Sequence, residues 1–189
     1  MDYRFRLTII GVLWFALYHP QLVKAQGGDF EKQVDIRKLP IPKEPHQLFY
    51  LQKDPDANTV IYQLNVKNNK VDPKKPVNAY WKQYEEGGRK KALNYVQKTM
   101  AYGIQAKALD EHTYSLELVS YKKLPLTLSY SSKHKKHVVT TQINGRKAVL
   151  EQIFVRIIGG TVFNPQIQYY LLKGRDYENN TLLEEELIP

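Results

Sequence analysis

From Ile104 onward the chain alternates apolar and polar residues with a period of two, the pattern of strands buried on one face, and one earlier run does the same. Thr59 to Val66 places Val60, Tyr62, Leu64 and Val66 on one side, and the run before it, Gln47 to Lys53, is aromatic and apolar. Between them Asp54-Pro55-Asp56-Ala57-Asn58 carries turn chemistry, so the two runs are expected to pair as a hairpin. Further strands are expected at Val77 to Tyr84, Ile104 to Leu109, Thr113 to Tyr121, Leu124 to Ser131, His137 to Ile143, Arg146 to Ile158 and Ile167 to Lys173. Asn144-Gly145 joins two of these and fits a type I′ turn, which needs positive φ at both central residues. Arg146 to Ile158 exceeds the usual strand length, so a bend or bulge is expected before Gly159-Gly160.

One stretch departs from this period. Arg89 to Tyr102 places Ala92, Leu93, Val96 and Met100 at spacings of one, three and four, which predicts a single amphipathic helix that Gly103 ends by taking a positive φ. A helix of that length is marginal alone and must pack its stripe on the sheet. The expected fold class is all-β (β-rich α+β): an antiparallel β-barrel or sandwich of about eight strands with one amphipathic helix packed on it. The tail from Asp176, acidic at Glu184-Glu185-Glu186, reads as a segment lying over the basic surface.

Ahead of this domain, residues 47–189, two segments have a different character. Arg4 and Arg6, an apolar run from Leu7 to Tyr18, and small residues at Val23 and Ala25 read as a signal peptide over residues 1–25. About 12 apolar residues span only ~18 Å as a helix, short of the roughly 30 Å hydrocarbon core, which favours cleavage over a retained anchor. Residues 26–46, with Pro40, Pro42 and Pro45, read as an extended Pro-rich leader arm. The expectation is a periplasmic or extracellular protein with no transmembrane anchor after cleavage.

Composition narrows the chemistry. The absence of cysteine excludes disulfides, thiolate nucleophiles, cysteine zinc sites and a lipid-modified cysteine. The formal charge is +9, and cleavage after Ala25 removes three basic side chains and one acidic, leaving +7. Outside the cytoplasm that excess points to an envelope lipid, glycan or polyanion as partner, with no nucleic acid expected. Spread evenly, the same charge serves only solubility.

The segments Leu48-Phe49-Tyr50-Leu51-Gln52 and Asn58-Thr59-Val60-Ile61-Tyr62, then Pro76-Val77 with Trp81, Tyr84, Glu85 and Gly88, then Ala101-Tyr102-Gly103, resemble an exported bacterial family. It is the family catalogued as domain of unknown function 4833, seen chiefly in Bacteroides-type bacteria. Ile143-Asn144-Gly145 and Lys173-Gly174-Arg175-Asp176 fit the same likeness, which then covers most of Gln47 to Pro189. The resemblance implies a compact exported domain and carries over no functional residue.

Among the candidates for chemistry, His134 and His137 flank Lys135 and Lys136; an i, i+3 pair on a strand points to opposite faces, so a solvated hairpin tip outweighs a metal site. Asp54 and Asp56 begin like a calcium loop, but the sixth and twelfth positions are Thr59 and Asn65, so a turn cap is favoured. Glu85 and Glu86 read as acids entering the expected helix. No Gly-x-Ser-x-Gly elbow or phosphate loop occurs, and no metal or cofactor is expected. Tyrosine is abundant, and Tyr62, Tyr80, Trp81 and Tyr84 are candidates to line a cavity or face for an apolar or sugar ligand, against the plainer reading of core packing. Arg89, Lys90, Lys91, Lys133, Lys135 and Lys136 are candidates for an anion patch. The expected function is a non-enzymatic binding or envelope-associated domain. The alternative is an envelope glycan or lipid hydrolase using His46, His112 or scattered carboxylates, and it requires one of these histidines beside an acid in a concave site.

Overall fold

The computed structural model describes residues 33–161 and 164–189, so the signal-peptide expectation for residues 1–25 and the first part of the arm lie outside the described residues. Thirteen strands follow in chain order: β1 Gln47–Lys53, β2 Asp56–Leu64, β3 Val66–Lys67, β4 Lys70–Val71, β5 Val77–Gln83, β6 Arg89–Ala92, β7 Ile104–Ala108, β8 Thr113–Leu118, β9 Tyr121–Ser131, β10 Lys136–Ile143, β11 Arg146–Gly160, β12 Pro165–Asp176 and β13 Leu182–Leu187. Apart from the small β3–β4 ribbon they form one sheet curled into a half-barrel. The β-rich character is as expected. The eight-stranded antiparallel barrel or sandwich is corrected to one open, curled sheet with more strands and very little helix.

The spine is β11. Its first residues pair antiparallel with β10, from Ile143↔Arg146 to Thr140↔Val149, and its middle pairs parallel with β1, from Tyr50↔Gln152 to Lys53↔Val155. Its other edge runs antiparallel to β12, which pairs with β13. Strands β1 and β10 therefore share one edge of the same strand end to end, and the sheet forks into two wings, β1-β2-β5-β6 and β10-β9-β8-β7. The length of β11 permits this, and register shifts against β12 at Leu150/Gln152, Arg156/Ile157 and Ile157/Gly159 bend it as expected. Across from the first shift sits Gly174, where a Cβ would fall 2.5 Å from the carbonyl oxygen of Val149.

The concave face holds the core. Val60, Tyr62 and Trp81 from one wing meet Leu116, Leu126 and Leu128 from the other over Ile153, Val155 and Leu172. Each fully buried side chain of this size contributes roughly 1.5–3 kcal/mol. The hairpins form where the turn residues predict them: β1 and β2 join through Asp54 to Asp56, and Asn144 and Gly145 take φ of 51° and 70° between β10 and β11.

The convex face is covered as well. Strand alternation turns Tyr50, Gln52, Ile61, Phe154 and Arg156 away from the core, yet all five are buried. Residues 34–45 lie across them. Asp54 accepts the backbone N–H of Val34 at 2.9 Å, Gln52 donates to the Pro40 carbonyl at 2.8 Å, and Gln63 donates to the Pro45 carbonyl. Glu44 accepts from Lys82, from Lys90 at 2.6 Å and from the Tyr80 hydroxyl at 3.3 Å.

The expected helix over Arg89 to Tyr102 is corrected. Gly87 and Gly88, with φ of 70° and 76°, turn the chain so that Arg89–Ala92 pairs with β5 as β6. Only a short helical turn with wide hydrogen-bond spacing follows, at Gln97–Ala101. It opens at Asn94, whose Oδ1 accepts the Gln97 N–H at 2.8 Å while Gln97 Oε1 accepts the Asn94 N–H at 3.0 Å, a reciprocal cap that fixes the start well after Arg89. Thr99 Oγ1 donates back to the Tyr95 carbonyl at 3.0 Å, which loosens a helix rather than extending it. Gly103 does not take a positive φ; it is needed for space, since a Cβ would lie 1.8 Å from the Lys98 carbonyl oxygen. The acidic tail is a strand, β13, with Leu183 buried and Glu184 paired to Lys173 at 2.8 Å. No helix among the described residues is long and apolar enough to cross a membrane.

Candidate functional site

The concave face opens into a cavity of about 530 Å³. Leu51 of β1, Val155 and Ile157 of β11 and Tyr170 of β12 form its floor, and the helical turn supplies Met100 and Tyr102 as a partial roof. Among the described residues Lys53 is the only charged side chain in the lining. A roof of one turn cannot close such a trough, so Val96 and Met100 remain 43% and 60% exposed at its rim. The volume and the apolar lining are those of a small-molecule pocket. Tyr170 stacks on Tyr121 with ring centroids 4.3 Å apart, and burial, then that neighbour, pushes its hydroxyl above the ordinary tyrosine range.

Lys53, Gln97 and Tyr102 also line an adjoining pocket of about 280 Å³ whose other walls come from β2, β5 and β6. Asn58 and Gln83 are the next positions along from the Thr59↔Lys82 pair, so they face each other across β2 and β5. Asn58 Nδ2 donates to Glu85 at 3.2 Å and Gln83 Nε2 donates to Glu86 at 2.6 Å. The two amide oxygens, Asn58 Oδ1 and Gln83 Oε1, are buried and have no partner among the described residues. Lys91, opposite Trp81 in the β5–β6 register, has no carboxylate within 4.0 Å among the described residues. Lys53 Nζ donates to the Asp54 carbonyl at 3.1 Å and lies 3.8 Å from Asp56. The Tyr102 hydroxyl is pushed up to about 12 by burial and then by the Asp56 charge, so it stays protonated at neutral pH. The two pockets together form an apolar trough with a polar end.

The family model described as Domain of unknown function (DUF4833) matches residues 49–185. The chain belongs to this family. Within this DUF4833 chain the match begins inside β1 and ends inside β13, so it takes in nearly the whole sheet and both pockets. No curated protein and no solved structure matches.

The DUF4833 sheet distributes the residues singled out in the sequence over different places. Tyr62 has no exposed surface, stacks on Phe49 at 4.3 Å and donates its hydroxyl to the Tyr102 carbonyl at 2.9 Å. Trp81 shares that face and meets Tyr102 edge-on at 4.8 Å. Tyr80 lies on the opposite face, under the arm, bonded to Glu44, and Tyr84 follows in a short turn beside Lys82. Only Trp81 of the four lines the paired pockets. Arg89, Lys90 and Lys91 sit on β6, with four strands between it and the β9–β10 hairpin that carries Lys133, Lys135 and Lys136. Arg89 pairs with Glu86, Lys90 with Glu44, and Lys133 with Glu178 at 2.7 Å. Lys136 borders a second cavity of about 520 Å³ on the convex face, lined with charged residues already joined as Arg175–Glu151 and Lys173–Glu184.

The histidines lie elsewhere. His46 is an exposed turn residue with φ of 56°. His112 is exposed, and its Nε2 is 4.0 Å from Glu111, beyond hydrogen-bond reach. It shares a shallow site with Tyr130 and His137, where burial and then the His112 charge hold His137 below its usual value. Among the described residues no three His, Asp or Glu side chains gather as metal ligands. The sequence reading missed Lys53, Asn58, Gln83 and Gln97. The available signal was Asn94-x-x-Gln97, a capping pattern that would have shortened the helix and exposed its apolar residues.

Proposed function

We propose that this chain is an exported, non-enzymatic binding domain that takes an apolar chain into the concave cavity of its half-barrel. Export is supported by the basic head, short apolar run and small residues of positions 4–26, and it places the protein in the periplasm or outside the cell. Binding is supported above all by one observation: an apolar cavity of about 530 Å³, with a single lysine in its described lining, left open under a helical turn that exposes Val96 and Met100. Apolar surface at the rim of an open cavity is the kind of surface that a ligand covers.

The test is a thermal melt of the chain with dodecanol and with dodecyl maltoside, each below its aggregation concentration. Selective binding to the folded state raises Tm saturably and stabilises by about 2.7 kcal/mol at a hundredfold excess over Kd. Failure of every 12-carbon ligand to give a saturable shift overturns the reading.

A further inference from the structure

We propose that Asn58, Gln83, Lys91 and Trp81 form a head-group subsite for a hydroxyl-rich, sugar-like group, so that the ligand of the concave cavity is a single-chain glycolipid-like amphiphile. The inference rests on the reading above and adds the chemical class of the ligand. The apolar cavity and the polar pocket share Lys53, Gln97 and Tyr102 in their walls, so one molecule can occupy both. In the polar pocket two buried amide oxygens have no donor among the described residues, and Lys91 has no carboxylate within 4.0 Å among them. An unsatisfied buried acceptor is costly, and native folds contain few of them without a reason.

The reason these oxygens are free is local. Glu85 and Glu86 draw the amide nitrogens of Asn58 and Gln83 to themselves and thereby orient both amides. What remains asks for a group that donates and accepts at once. A hydroxyl does both. A carboxylate satisfies Lys91 but confronts the two amide oxygens and Asp56 with more negative charge. An alkylammonium satisfies the oxygens but confronts Lys91 and Lys53. Trp81 and the protonated Tyr102 complete a wall of the aromatic and planar polar type that suits a sugar ring.

Titration calorimetry of the full chain with dodecyl maltoside, dodecanol and laurate decides the matter, because the three share a 12-carbon chain and differ in the head. Dodecyl maltoside is expected to bind at least tenfold more tightly than either of the others. Lys91→Met and Gln83→Met are each expected to weaken maltoside binding about five- to tenfold and leave dodecanol unchanged. Lys91 is exposed on β6, so its variant keeps the fold should Gln83→Met disturb it. Equal affinity for maltoside and dodecanol overturns the head-group subsite and leaves the apolar site standing. Tightest binding of laurate, or an equal loss of maltoside and dodecanol in both variants, also overturns the subsite. No binding of any of the three overturns the underlying reading instead.

Discussion

Arg156 Nη1 lies 2.9 Å from Asp54 Oδ1, an ion pair closed across 102 residues in which the aspartate has no exposed surface. Asp54 also accepts the N–H of Val34 at 2.9 Å and of Ile157 at 3.1 Å, while Arg156 stacks over Phe154 with its guanidinium carbon 4.9 Å from the ring centre. One carboxylate thus joins the arm, the β1–β2 turn and the spine strand. Removing one partner leaves the other charged, buried and unpaired, so Arg156→Met is expected to cost about 3–5 kcal/mol in urea denaturation. Asp54→Asn combined with Arg156→Met is expected to cost less than the sum of the two single changes.

The arm carries a pH signature at Glu44. Burial opposes its ionisation, but hydrogen bonds from Lys82 and Lys90 outweigh that and hold the carboxyl below its ordinary value of 4.5. A depressed folded pKa means that the stabilisation is fully present above about pH 4.5 and disappears as pH falls through the lower folded value. Glu44→Gln is therefore expected to lower stability by roughly 1–2 kcal/mol around pH 7, with the gap to the wild type closing in acid. Chemical denaturation at a series of pH values checks this.

The roof of the cavity depends on the reciprocal cap between Asn94 and Gln97. Asn94→Ala leaves the Gln97 N–H without its side-chain acceptor and is expected to cost about 1 kcal/mol. Hydrogen exchange is expected to show the loss as faster opening of Gln97–Ala101, with the protection of β11 unchanged.

At Gly174 the constraint is backbone proximity. A Cβ there meets the Val149 carbonyl at 2.5 Å and Ile143 at 2.9 Å, so Gly174→Ala is expected to destabilise by about 1–3 kcal/mol through displacement of β12 from the spine. Thermal melting measures it. Gly145→Ala meets no atom within 4 Å and is expected to cost about 1–2 kcal/mol, from its φ of 70° alone.

The strands were legible in the sequence because alternation and turn residues are local. Thr59 to Val66, the Asn144-Gly145 hairpin and the over-long run from Arg146 are all found close to where the pattern puts them. What the period cannot carry is pairing at a distance. Nothing in Gln47 to Lys53 announces that β1 runs parallel to β11, and this single pairing turns a meander into a forked half-barrel. The helical spacing at Ala92, Leu93, Val96 and Met100 misled because the same residues serve three purposes: Ala92 ends an edge strand, Leu93 enters the core, and Val96 and Met100 stay at the rim of a cavity. The polar pocket was illegible for a related reason. Asn58 and Gln83 look like ordinary turn and strand polar residues until the β2–β5 register sets them face to face.

Filling the cavity tests the central claim most directly. Ala101 lines the trough from the helical turn, and Ala101→Trp places an indole there without touching the core beneath. In calorimetric titration with dodecyl maltoside below its aggregation concentration, the wild type is expected to bind about one equivalent saturably and the folded Ala101→Trp variant to bind none. Equal binding by both proteins would show that the chain of the ligand does not enter the half-barrel, and would contradict the account.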